Sequence, residues 1–447
     1  MTAIQIFDSR HTIITAKKSY IEVCHDMHPR STMTRRCRNT FPTYLTNPKR
    51  QRQMNNRIRI VAALLLAVTT ISVKAQDKRE MFNPIHTALV SQTIAPDARA
   101  AGMGDVGAAT DPDVNSQYWN PAKYPFCISR AGLALNYTPW LRSLVSDMDI
   151  AYLAGYYRIG EHSAVSGSLR YFSLGEVYTN YDGTGDISNA QTINPYEMSF
   201  DVAYSLMLSE KFSLAAGVRF LMSDMQYSST EERSASNAFA ADIACYYNDY
   251  INIGSRECQL GIGLNISNIG SKITFGGSDY SEFIPTNMRL GAALMVPIDE
   301  FNRFTISADA NKLLVPTYPQ QKDGETTEDY QQRVEDEYYN TSSISGMFKS
   351  FGDAPGGFKE ELQEINWSVG AEYVYNDKFS IRAGYHNESE NKGNRKYFTV
   401  GAGFRMSAFT LDCGYVIATA KSNPLDQTLR FTLGFDMDGI KDLFKRR

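Results

Sequence analysis

From Arg130 to the C-terminal region the sequence alternates with a period of two, and this pattern constrains the fold more than any other feature. Phe398, Val400, Ala402, Phe404 and Met406 fall on one face of an extended chain. Tyr397, Thr399, Gly401, Gly403 and Arg405 fall on the other. Leu429, Phe431, Leu433 and Phe435 alternate in the same way with Thr428, Arg430, Thr432 and Gly434. Such a period belongs to strands and not to helices. About fourteen such segments, each roughly 9–14 residues, suit tilted strands that cross a bilayer. They begin near Arg130, Met148, His162, Tyr196, Lys211, Asn237, Glu257, Pro285, Asn302, Ile365, Lys378, Arg395, Ala408 and Gln427. The expected fold is all-β, a transmembrane antiparallel β-barrel of about 14 strands.

Two features separate a barrel from a soluble sandwich. The first is the side that carries charge. Asp201, Arg219, Asp242, Arg289, Asp309, Glu372, Arg382, Arg405, Asp412 and Arg430 all share the face of small and polar residues. That face is rich in Gly, Ala and Ser and poor in Lys, which predicts a crowded lumen with paired charges. The second is loop length. Tight connections such as Ile159-Gly160-Glu161, Ser209-Glu210 and Asn376-Asp377 alternate with longer ones near 175–195, 224–236, 269–284, 312–364, 386–394 and 419–426. Outer-membrane barrels have short periplasmic turns and long extracellular loops. The Asn248–Arg256 connection is the one that looks long for its side.

The N-terminal region reads as processing signals. Met54 is followed by a basic start, an apolar run from Ile60 to Ile71, and Val73 and Ala75 before Gln76. That layout predicts a secretory signal over 54–75. Residues 1–53 then read as an upstream extension, with translation from Met54. Without residues 1–75 the chain keeps 32 Lys/Arg against 46 Asp/Glu, a net charge of −14, so nucleic acid is not an expected partner. Residues 76–129, rich in Gly, Ala, Pro and Asp, are expected to form a plug or periplasmic cap ahead of a barrel over 130–437. A tail over 438–447 has room for a short periplasmic helix. Cys245 and Cys258 flank one turn, and a cross-strand disulfide there is weighed against two free thiols.

No catalytic or cofactor motif stands out. Gly102-Met103-Gly104-Asp105-Val106-Gly107 matches G-x-G-x-x-G but lacks the strand before it and the βαβ unit around it. Turns in a plug explain these glycines better. Asp182-Gly183-Thr184-Gly185-Asp186 resembles only a fragment of a calcium loop, and a polar extracellular loop is the plainer reading. The expectation is no enzyme, no cofactor and no metal.

The stretch Ala95-Pro96-Asp97-Ala98-Arg99-Ala100-Ala101-Gly102-Met103-Gly104, followed by Trp119-Asn120-Pro121-Ala122, resembles the start of FadL-like outer-membrane proteins. Asp97, Arg99, Gly102, Gly104, Trp119, Asn120 and Pro121 carry that plug motif. The insertion from Gly346 to Phe358, with Met347, Phe348, Phe351, Asp353, Pro355 and Phe358, extends the resemblance over about 76–437 to the PorV family of type IX secretion barrels. The resemblance implies a fourteen-stranded FadL-like barrel with an N-terminal plug. It also implies an outer-membrane protein that takes cargo bearing a C-terminal signal domain from a SprA-type translocon. Such a protein delivers that cargo to a PorU-type sortase and attachment complex, among outer-membrane lipid and lipopolysaccharide.

Three readings therefore stand side by side. The first is a non-enzymatic cargo carrier whose loop 342–362 contacts its partners. The second is a FadL-like transporter of hydrophobic small molecules. The third is a lipid deacylase, which would need His86, His162 or His386 beside an outward-facing serine.

Overall fold

The computed structural model describes residues 82–142, 145–179, 191–225, 235–276, 278–419 and 425–445. The expected signal peptide, the upstream extension and the Asp182–Asp186 fragment lie outside the described residues.

Fourteen strands close into one antiparallel barrel. They are β1 (Ala131–Pro139), β2 (Asp149–Ile159), β3 (Ser163–Ser173), β6 (Tyr196–Ser209), β7 (Phe212–Asp224), β8 (Ser236–Ile253), β9 (Arg256–Gly270), β10 (Asn287–Pro297), β11 (Asn302–Leu313), β12 (Ile365–Tyr375), β13 (Phe379–Asn387), β14 (Lys396–Arg405), β15 (Phe409–Ala418) and β16 (Leu429–Asp436). Each pairs with its neighbour in order, and β1 closes on β16 with Leu133 opposite Phe435. Closure leaves no strand edge, which a bilayer requires because it offers backbone groups no water. A separate two-stranded hairpin, β4 (Val177–Thr179) and β5 (Gln191–Ile193), rises from a connection expected to be plain loop.

Each of the fourteen barrel strands begins within two residues of its expected start. One expectation is corrected. The Asn248–Arg256 connection is not long, because β8 runs on to Ile253 and leaves only Gly254 and Ser255 as a turn. Gly254 has φ 66°, the left-handed region that glycine enters freely. Asn376 and Asp377 turn β12 into β13 with φ 52° and 53°, the geometry that matches hairpin twist.

The burial pattern is inverted relative to a soluble protein. On β14, Phe398 and Val400 are exposed while Tyr397 and Thr399 are buried. On β16, Leu429, Phe431 and Leu433 are exposed while Arg430 and Thr432 are buried. Apolar side chains out and polar side chains in is the arrangement that lipid imposes on a barrel wall. No helix among the described residues is long and apolar enough to cross a membrane.

The long connections gather at one end. The largest, 314–364, carries three α-helices, α1 (Thr327–Val334), α2 (Ser343–Lys349) and α3 (Phe358–Gln363), with a π-helical turn over Glu335–Tyr339 after the first. After β16 the chain continues in a fourth helix, α4 (Met437–Lys445).

Candidate functional site

The segment ahead of β1 reaches the inward faces of strands on opposite sides of the barrel. Ala98 N–H donates to Thr432 on β16 at 2.9 Å. Gly107 and Ala108 N–H donate to one oxygen of Asp309 on β11, at 2.8 and 2.9 Å. Gln117 donates to Asp201 on β6, and Asn265 on β9 donates to the Trp119 carbonyl at 3.0 Å.

The motif residues organise this segment. Asp97 caps the turn Ala98–Ala101 by accepting from Ala100 N–H, and it accepts from the Trp119 indole at 2.6 Å. Asn120 caps the 3-10 turn Pro121–Phe126, where Pro121 sits in the position that needs no amide hydrogen. Gly104 has φ 74°, and a Cβ there would lie 2.7 Å from the Tyr385 backbone nitrogen. A Cβ on Gly102 would lie 2.9 Å from the Gly401 Cα. The wall yields in the same way. A Cβ on Gly263 would stand 2.0 Å from the Ala108 carbonyl oxygen. Glycines face glycines because the two backbones touch.

Nine of the ten expected lumen charges are buried, but not all are ion pairs. Arg99 reaches Asp113 at 2.9 Å and Glu372 at 3.0 Å. Glu372 also holds Arg382 at 2.7 Å, which in turn holds Asp412 at 2.7 Å. Arg219 sits between Asp242 at 2.7 Å and Asp201 at 3.4 Å. Arg430 pairs with Asp105, which also accepts from Tyr397 at 2.6 Å. Asp309 instead serves backbone amides. Arg289 donates to Asn311 and the Tyr118 carbonyl and lies 4.6 Å from the Trp119 ring centroid. Arg405 corrects the expectation: it keeps the inward parity but lies at the turn end of β14, exposed to solvent.

Parity should also have singled out Arg170. It shares the inward face of β3 with Ser166 and Ser168, is buried, and donates to the Ile94 carbonyl at 2.9 Å. Asp105 and Gln117 gave no such signal, because their partners come from distant strands, and Lys123 gave none because it donates to the Gly107 carbonyl and the Thr110 hydroxyl within the segment itself.

Between the segment and the long-loop end lies a small chamber of about 90 Å³, bordered by Arg219, Arg289, Arg430, His386, Tyr118 and Trp119. His386 lies 2.9 Å from the Ser368 hydroxyl. Both are buried on the inward face, so this serine is not the outward-facing one a lipid deacylase would need.

The insertion 314–364 is clamped by a second buried network. Lys312 meets Glu361 at 3.1 Å and Glu364 at 2.6 Å. Lys392 meets Glu360 at 2.6 Å and the other Glu364 oxygen at 3.0 Å. Asp353 accepts from Thr317 N–H at 3.1 Å. Burial, reinforced by Glu361 and Glu364, pushes the Asp353 carboxyl up to about 6. On this clamped base Phe348, Phe351 and Phe358 are more than half exposed, as are Ile344 and Leu362. Pro355 is exposed too, whereas Met347 is only half-exposed.

Cys245 and Cys258 are free thiols. Register puts Cys245 opposite Leu264 and Cys258 opposite Ile251, so the two lie six rungs apart and the disulfide is ruled out in this pairing.

A family profile described as Type IX secretion system protein PorV matches residues 74–321, more than half of the chain. The chain belongs to the PorV family. A PorV-family chain is an outer-membrane component of type IX secretion, and the family is one of secretion barrels rather than of enzymes. Comparison with curated proteins gave no match. Among solved structures, the TodX deltaS2S3 mutant monoaromatic hydrocarbon channel aligns at TM-score 0.45 and 11% identity, covering 76% of this PorV-family chain and 98% of that one. The Pseudomonas putida toluene transporter TodX aligns at 0.43 and 9%, covering 79% and 98%. A Pseudomonas aeruginosa FadL homologue aligns at 0.40 and 12%, covering 79% and 99%.

Proposed function

We propose that this barrel is a closed, non-enzymatic carrier for secreted proteins. It collects cargo bearing a C-terminal signal domain from a SprA-type translocon and hands it to a PorU-type sortase and attachment complex. Residues 76–129 act as its plug, and cargo never enters the lumen. The observation that carries the reading is the exposed apolar face of Phe348, Phe351 and Phe358 on an insertion held rigid by buried ion pairs. Large exposed apolar groups on an ordered base mark a contact surface.

The chamber of about 90 Å³ weighs against a hydrocarbon transporter, since sites for drug-sized ligands span about 300–1,000 Å³. The test is affinity capture from the native outer membrane with the wild type and with a Phe348→Ser/Phe351→Ser/Phe358→Ser variant. The expected result is recovery of a very large barrel, a sortase-like protease and proteins sharing a C-terminal domain by the wild type, and their loss from the variant. Equal recovery by a correctly folded variant would remove the insertion from the contact surface.

A further inference from the structure

Most buried arginines of the lumen meet a carboxylate, but Arg289 on β10 forms no ion pair among the described residues. It is only 6% exposed. Its Nε donates to Asn311 Oδ1 at 2.8 Å and its Nη1 to the Tyr118 carbonyl at 3.1 Å, which leaves Nη2 with no partner among the described residues. Arg430 faces it from β16, six strands away round the ring of fourteen. Arg430 is 3% exposed and donates through Nη1 to Asp105 at 2.5 Å. Its Nε is buried without a partner, and its Nη2 makes no hydrogen bond among the described residues. Burying such donors without an acceptor is costly, and more so for a charged group. Both arginines border the same chamber of about 90 Å³.

We propose that this chamber binds one small free oxyanion, of the phosphate or sulfate class, held between Arg289 and Arg430. Charge selects an anion. Four arginines and a single carboxylate, Asp105, border the chamber. Two of the four are already satisfied, Arg219 by Asp242 at 2.7 Å and Arg395 by Glu388 at 2.8 Å. Arg289 is not, and Arg430 keeps two nitrogens to spare.

Geometry selects an oxyanion over a halide. A guanidinium presents its N–H groups as a planar fork that matches two oxygens of one ion. The Tyr118 and Trp119 rings, at 5.0 and 4.6 Å, hold the Arg289 plane in place. Size selects a free ion over the end of a longer molecule. One water needs about 10–15 Å³, so about 90 Å³ admits an ion of a few atoms and no acyl chain. Position gives the consequence. Asp105, Tyr118 and Trp119 belong to the segment ahead of β1, so the ion ties that segment to two far-apart strands of the wall.

The test uses the full chain, unfolded in urea and refolded into uncharged detergent with chloride as the sole anion. Titration calorimetry at constant ionic strength then reads phosphate, sulfate and chloride in turn. Phosphate or sulfate is expected to saturate one site about tenfold or more tighter than chloride. The same oxyanion is expected to raise the urea midpoint of the folded barrel, because it binds the folded form alone. Arg289→Lys keeps the charge and loses the fork, and Arg430→Lys keeps a cation beside Asp105. Each is expected to weaken oxyanion binding by about tenfold or more while the barrel still folds. Lys211→Ala, at an exposed cation of the short-turn end, is expected to leave binding unchanged. No saturable binding, chloride binding as tight as phosphate, or wild-type affinity in either arginine variant would overturn the site. Decanoate binding more tightly than acetate would overturn it too, since the chamber would then admit a chain.

Discussion

Arg99 and Glu372 join through two hydrogen bonds, Nε to Oε1 at 3.3 Å and Nη2 to Oε2 at 3.0 Å, across 273 residues of chain. The contact ties the N-terminal segment to β12, and through Arg382 and Asp412 to β13 and β15. Arg99→Ala leaves Asp113 and Glu372 short of a buried partner. Removing one member of a buried ion pair costs about 3–5 kcal/mol. The urea midpoint of the folded barrel, followed by its heat-modifiable gel mobility, is expected to fall accordingly. An unchanged midpoint would mean that the segment contributes nothing to barrel stability.

Contact between the segment and the wall predicts an asymmetry among glycines. Gly263→Ala places a Cβ 2.0 Å from the Ala108 carbonyl oxygen, where the obstruction is backbone and cannot rotate away. Overpacking of this kind costs about 1–3 kcal/mol or more. Gly434→Ala meets nothing closer than 3.7 Å and is expected to be near neutral. Parallel urea melts of the two variants check the difference.

Lys312→Met removes the lysine that holds Glu361 and one of the two that hold Glu364. The insertion is expected to be cut by protease at least tenfold faster, while the barrel keeps its heat-modifiable mobility. Loss confined to the insertion is the signature of local rather than global unfolding. A protease-resistant insertion in this variant would show that Lys392 alone holds it.

Asp353 makes the seating of the insertion pH-dependent. Its carboxyl sits at about 6 when folded, above the ordinary 3.8, so the folded form binds the proton more tightly. The contribution to stability is full below the unfolded value and is lost as pH rises through about 6. Proteolysis of 314–364 is therefore expected to accelerate as pH rises from the ordinary value of 3.8 to about 6 and to level off above that. Asp353→Asn should flatten the dependence. An identical profile in that variant would assign the effect to another group.

Much of the barrel was legible because lipid exerts a simple demand. Apolar side chains must alternate outward, so strand positions could be read from parity, and the hairpin β4–β5 escaped because it stands outside the wall. Parity also located the inward charges from Asp201 to Arg430. It went astray at Arg405, whose side is right but whose depth is not: alternation says which way a residue points, not how far along the barrel it lies. Lys312 was missed for a related reason. It occupies an outward parity at the end of β11 and is buried only because α3 returns to cover it.

The sequence by itself determined an all-β, antiparallel barrel of about 14 strands, since period-two alternation and turn spacing are local properties of neighbouring residues. Only the tertiary structure decided which charges pair. Arg99 meets Glu372 and Asp105 meets Arg430 because closure brings residues hundreds of positions apart to one point, and no local pattern records that distance. Cys245 and Cys258, which flank one turn, lie six rungs apart because the β8–β9 register is set by the tight Gly254-Ser255 turn.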